Sequence, residues 1–191
     1  AFTPRSVAHT YGVAVNFQSP AAAGRAATDR HNVATVARTA ADTVAIGDSD
    51  TGDKLIYMDK LQDLVTIVST TGDHVVHLGE GNDQAALEAN AGDIQVFGEA
   101  GNDSIFGQNL GADTFDGGGD DDTIGLLDGS VGDKTLIAGD GDDSVFVGDS
   151  SGIPFEGVLP NMDVTVDAGE GDDTVEYVRG LALGDANDGG D

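Results

Sequence analysis

The sequence predicts an all-β chain: a right-handed parallel β-roll, or β-solenoid, with about 20 residues per coil. Three observations predict it. An aspartate recurs every ten residues from Asp53 through Asp63, Asp73, Asp83, Asp93 and Asp103 to Asp113. It follows within a residue at Asp122, Asp133 and Asp143, and resumes at Asp163 and Asp173. Glycine precedes the aspartates at fixed offsets, and apolar residues follow them with a period of two, the signature of a strand with one face inward. A chain with this repeat coils, each turn stacks on the last, and every turn delivers a carboxylate to the same edge.

Two kinds of corner alternate. The glycine-rich corner reads Leu78-Gly79-Glu80-Gly81-Asn82-Asp83, then Gly98-Glu99-Ala100-Gly101-Asn102-Asp103 and Gly117-Gly118-Gly119-Asp120-Asp121-Asp122. Further copies are Ala138-Gly139-Asp140-Gly141-Asp142-Asp143, Ala168-Gly169-Glu170-Gly171-Asp172-Asp173 and Leu183-Gly184-Asp185-Ala186-Asn187-Asp188. The plain corner is Ala91-Gly92-Asp93, Leu110-Gly111-Ala112, Val131-Gly132-Asp133 and Asn161-Met162-Asp163.

The strands follow from the corners. After the glycine-rich corner the inward residues are Ala85/Leu87, Ile105, Ile124/Leu126, Val145/Val147 and Val175/Tyr177, with Val44/Ile46 and Val65/Ile67 upstream. After the plain corner they are Ile56/Met58, Val76/Leu78, Val96, Phe115, Leu136/Ala138 and Val166/Ala168. The two rows face each other across a thin core that only stacked coils can bury. At about 4.8 Å per rung, some seven rungs give a rod of roughly 35 Å. Residues 149–162, with Pro154 and Pro160, break the period and read as a loop on the plain edge. The chain divides into an N-terminal strand, cap or assembly segment at 1–41 and the roll at 42–191. Residues 6–17 alternate as one strand. Residues 20–41 are Ala-rich, with Val33, Val36, Ala37 and Ala40 at the spacing of a helix or irregular cap.

Charge narrows the function. Residues 1–41 hold four Arg and one acid, net +3, whereas residues 42–191 hold four bases and 34 acids, net −30. This density of like charge opposes compaction and argues against nucleic acid or anionic lipid as partners. There is no Cys, hence no disulfide, and no apolar run long enough to insert in a membrane as a helix. The chain begins with Ala and shows no signal-peptide pattern, so a processed product or a fragment is expected.

The glycine-rich corners resemble the nonapeptide Gly-Gly-x-Gly-x-Asp-x-apolar-x of the repeats-in-toxin (RTX) family, over roughly residues 78–188. The resemblance implies a calcium-binding parallel β-roll in which corner carbonyls and the Asp ligate Ca²⁺ between neighbouring coils. Carried over, the metal residues are Gly79, Gly81 and Asp83; Gly98, Gly101 and Asp103; Gly117, Gly119 and Asp122; Gly139, Gly141 and Asp143; Gly169, Gly171 and Asp173; and Gly184 and Asp188. Six corners leave about five gaps for ions, and hard oxygen ligands suit Ca²⁺ better than Zn²⁺. The chain departs from the family in three ways. Its coils are nearer 20 residues than the family's 18. Only alternate corners carry the motif, so one ion column is expected. Leu78, Ala138 and Ala168 replace the first glycine, and Asp120 replaces the third. Sites that bind at about 10⁻⁴–10⁻³ M add roughly 1.4 kcal/mol each at ten times Kd. Five add about 7 kcal/mol, comparable with the stability of a domain.

Other motifs carry less. A merely solvated acidic edge would not keep glycine at fixed offsets. His74 and His77, three apart on a strand, fall on opposite faces. Asp48–Asp53 resembles the start of an EF-hand loop without the Glu at its twelfth position. An outward polar row, Gln84, Ser104, Thr123, Ser144 and Thr174, could meet a regular lattice such as ice or a polysaccharide. Enzyme motifs are absent. The expected function is therefore non-catalytic: a secreted, extracellular, calcium-stabilised structural or adhesive module of a bacterial cell surface, S-layer or filament. Self-association is expected through the solenoid ends, with the N-terminal strand covering the next molecule. The alternative is the C-terminal folding module of a type I-secreted enzyme or toxin.

Overall fold

The computed structural model describes residues 14–17, 32–35, 41–46, 52–58, 60–68, 70–127, 130–148, 163–177 and 187–188, with the backbone alone at 14–17, 32–35 and 187–188. Among these residues every regular element is a strand. Odd strands form one parallel sheet: β1 (Ala14–Phe17), β3 (Thr43–Ile46), β5 (Leu64–Val68), β7 (Gln84–Glu88), β9 (Ser104–Gln108), β11 (Thr123–Leu126), β13 (Ser144–Val147) and β15 (Thr174–Tyr177). Even strands form the other: β2 (Asn32–Thr35), β4 (Lys54–Tyr57), β6 (His74–Glu80), β8 (Ile94–Ala100), β10 (Asp113–Gly119), β12 (Lys134–Asp140), β14 (Val164–Asp167) and β16 (Asn187–Asp188). The chain alternates between the sheets and pairs each strand with the one a coil away, the β-solenoid that the repeat predicts.

The core is the thin double row read from the sequence. Val65, Ile67, Ile105, Ile124 and Val145 from one sheet meet Val76, Leu78, Val96, Phe115 and Leu136 from the other, all fully buried. Phe115 fits because the opposite strand has glycine beneath it. A Cβ built on Gly107 would lie 2.5 Å from the Phe115 ring.

The even strands turn a third residue inward. Lys54, His74, Ile94, Asp113, Lys134 and Val164 share one register position, and all six are buried. The period-two rule allows this row, but its polar members hide it from an apolar count. Asp113 keeps the ten-residue step yet sits one position past the plain corner, as the Leu110-Gly111-Ala112 reading expects. Ala112 occupies that corner, because Gln95 pairs with Thr114 one residue short of a 20-residue coil.

The N-terminal segment also differs from expectation. Asn32–Thr35 is a strand, not part of a helix, because β4 offers it a free edge to pair with. β1 pairs in parallel with β3, so both strands add a rung to this chain's own roll, giving eight strands per sheet. Residues 6–13, the loop 149–162 and most of the EF-like segment lie outside the described residues.

The fit of Phe115 over Gly107 yields a prediction. Gly107→Ala destabilises the roll by about 1–3 kcal/mol through overpacking. Adding Phe115→Leu recovers most of that loss. Urea melts of the single and double variants measure both, and additive losses would contradict the contact.

Candidate metal centre

The glycine-rich corner follows β6, β8, β10, β12 and β14 and turns the chain into the opposite sheet. Its turn needs left-handed backbone. Gly79, Gly101, Gly139, Gly141, Gly169 and Gly171 take φ between 87° and 147°. A Cβ on Gly101 would also strike the Gly81 carbonyl of the preceding coil, and Gly81 in turn lies against the Leu61 carbonyl. At Gly117–Asp122 the left-handed residues are Gly118 (φ 107°) and Asp120 (φ 74°). Gly119 pairs instead with Ala100 and Asp140, the middle position of the motif, which needs no glycine. Glu99 (φ 77°) likewise stands where other coils have glycine.

The aspartates after these turns form a ladder. One carboxylate oxygen, Oδ1, of Asp63, Asp83, Asp103, Asp122, Asp143 and Asp173 accepts the backbone N–H of the aspartate one coil earlier, at 2.6–2.9 Å. The other oxygen, Oδ2, of Asp83, Asp103, Asp122, Asp143 and Asp173 is buried without a hydrogen-bond partner. Burying an ionised carboxylate this way costs several kcal/mol unless a cation answers it. The strain shows in proton affinity. Burial pushes Asp83 up to about 6, against the hydrogen bond from Asp63 N–H. It pushes Asp122 up to about 7 and Asp103 up to about 8, with neighbouring carboxylates adding to the rise. Asp143 is raised for the same reason.

At two corners glycine keeps a side chain away from these oxygens. A Cβ built on Gly98 would lie 2.5 Å from Asp103 Oδ2 and closer still to the Gly117 carbonyl oxygen of the next coil. A Cβ on Gly117 would lie 2.5 Å from the Ala138 carbonyl oxygen and closer still to Asp122 Oδ2. At each of these corners a carboxylate oxygen and a carbonyl oxygen of the following coil converge beside the glycine Cα. Asp122 keeps this geometry despite Asp120. Among the described residues no three Asp, Glu, His or Cys side chains converge on one point. The donors the structure brings together are a carboxylate oxygen and one backbone carbonyl at each of two corners, hard oxygens of the class Ca²⁺ takes, with no thiolate or imidazole.

Two expected members are not brought in. The β16 backbone pairs Asp188 with Asp167, a sheet position, so Asp188 does not stack on Asp173. The open edge of β14 captures that segment instead. Gly184 lies outside the described residues. One member was missed: Asp63 joins the ladder through a corner where Leu61 adopts φ 82° without any glycine. Its 20-residue spacing from Asp83 was the available signal.

The plain edge is built differently. Its aspartates accept in the opposite sense: Oδ1 of half-buried Asp53 and of exposed Asp73 and Asp93 takes the N–H of Asp73, Asp93 and Ala112 one coil later, at 2.8–3.0 Å. Inside this edge Thr70, Asn90, Asn109 and Ser130 are buried. Asn90 Nδ2 donates to Asn109 Oδ1 (2.9 Å) and Ile67 O (3.0 Å), and Thr70 Oγ1 donates to Asn90 Oδ1 (2.8 Å). His74 is buried 2.8 Å from Thr70 Oγ1. His77 faces outward, stacked between Tyr57 and Phe97, so the two histidines do occupy opposite faces.

No known protein family, curated protein or solved structure matches this chain.

The raised carboxylates give a pH prediction for the metal-free protein. Asp83, Asp122 and Asp103 bind protons more tightly folded than unfolded, so from about pH 4 upward the folded state holds more protons. The stability this provides is complete below about pH 4 and is lost as pH rises through 6 to 8. In chelator, the β-signal by circular dichroism is therefore stronger at pH 5 than at pH 8; the reverse order would contradict the buried ladder.

Proposed function

We propose that this chain is a calcium-stabilised structural or adhesive module of the RTX type that folds where Ca²⁺ is millimolar, outside the cell. The observation that supports it is the column of buried, unpaired Oδ2 atoms from Asp83 to Asp173, each a hard anionic ligand without a proton donor. Calcium would be held by those oxygens and by the corner carbonyls of Gly117 and Ala138. The chain's own groups do the rest. The Asp ladder fixes each carboxylate through Oδ1, and glycine at positions 98 and 117 keeps side chains away from Oδ2 of Asp103 and Asp122. The metal supplies charge neutralisation between coils of a chain with net charge −27.

A solenoid with flat outward faces suits a spacing or surface role better than catalysis. The Gln84, Ser104, Thr123, Ser144 and Thr174 row is in register along one face, as a lattice-like or self-associating surface requires. The other reading is a folding module beside a catalytic region. Light scattering separates them: ordered, calcium-dependent assembly of this chain alone supports the structural role.

The experiment is a calcium titration. Chelated protein at pH 7.5 shows little β-signal by circular dichroism and gains it at millimolar Ca²⁺, with about five ions bound by calorimetry. An unchanged β-spectrum in chelator with no heat of binding would sink the proposal. Asp103→Asn keeps an acceptor for Asp83 N–H but removes the charge. Calcium affinity falls about tenfold or more, while metal-free stability at pH 7.5 rises.

A further inference from the structure

We infer that Lys134 is a tethered cation that cross-links coils at the plain edge, in a cage of oxygen ligands that could otherwise hold a metal ion. Its side chain and that of Asp113 are fully buried. The ammonium nitrogen lies 3.3 Å from Asp113 Oδ2. It donates to the carbonyls of Val131 (2.5 Å), Gly132 (3.4 Å) and Gly111. Gly111 and Asp113 belong to one coil, Val131 and Gly132 to the next. Asp113 Oδ1 in turn accepts Ile94 N–H at 2.9 Å, one coil further back. One positive centre thus draws three successive coils together through three carbonyls and a carboxylate.

An ion pair alone does not account for this arrangement. A buried pair recovers its desolvation cost only when further hydrogen bonds satisfy both partners. Here the carbonyls do so for the ammonium, and Ile94 N–H does so for the carboxylate. Burial raises the proton affinity of Asp113 and lowers that of Lys134, each opposed by the other's charge. Three carbonyl oxygens and one carboxylate form the kind of hard set that Ca²⁺ accepts. The side chain that fills the cage enters from the inward row Lys54, His74, Ile94, Asp113, Lys134 and Val164, so the site is internal to the roll and separate from the glycine-rich corners.

Removing the ammonium without its ligands tests the assignment. Lys134→Ala in the full chain, titrated with CaCl₂ by calorimetry, takes up one more ion per chain than the natural sequence. A folded variant that binds the same number overturns the inference. The difference is independent of the glycine-edge reading: if those corners take no metal, the counts become one against zero. A second pair decides if Lys134→Ala does not fold. Lys134→Met keeps the stem and loses the charge, and its Tm falls by about 10 °C. Adding Asp113→Asn to it recovers less than half of that loss, because the carbonyls of Gly111, Val131 and Gly132 stay unpaired. No loss in Lys134→Met, or full recovery in the double variant, shows a packing or simple ion-pair role and overturns the inference.

Discussion

The hydrogen bond from each coil's backbone to the next coil's aspartate is the constraint on which the rest depends. It uses Oδ1 of Asp63 through Asp173 and so fixes where Oδ2 must go: inward, in line, about 4.8 Å from its neighbours. The same bond that aligns the coils therefore creates a buried row of negative charge. Protons or a divalent ion can relieve that row, and the hydrophobic core is too thin to override it. Val65, Ile67, Val76 and Leu78 fill a single layer between two sheets.

The two edges answer the same electrostatic problem with different means. On the glycine edge the turn is tight, glycine excludes side chains beside Asp103 and Asp122, and Oδ2 of Asp83 through Asp173 has no hydrogen-bond partner. On the plain edge the polar groups are met from within, by Asn90, Asn109 and Thr70 and by the Lys134 ammonium. This division explains why glycine crowds one corner and not the other. Where Leu61, Glu99 and Asp120 adopt left-handed backbone, the turn geometry is retained at a cost of about 1 kcal/mol or more each.

Most of the architecture was legible because the period is strict. Strand positions, inward apolar rows and the opposite faces of His74 and His77 follow from counting by two between corners. The buried row of Lys54, His74, Asp113 and Lys134 was not legible, since charge normally signals solvent and only register shows these residues face each other. Asp113 keeps the ten-residue step, but a 19-residue coil places it one position inward of the Ala112 corner. Asp63 was passed over because its corner lacks glycine, although the ladder needs only the carboxylate and the turn. Asp188 matched the motif by sequence, but the short β16 pairs along a sheet instead of turning a corner.

Variation in coil length falls on one side only. From Leu78 to Asp83, Gly98 to Asp103, Gly117 to Asp122, Ala138 to Asp143 and Ala168 to Asp173, the span never changes. Across the other side the chain passes from Gly107 to Asp113, from Leu126 to Lys134, and from Val147 to Val164, each connection longer than the one before, with strand register restored every time. The roll therefore has a conservative flank and a permissive one. New segments can be grafted onto the permissive flank, as decoration or as a further recognition element, while the spacing of the acidic column stays untouched.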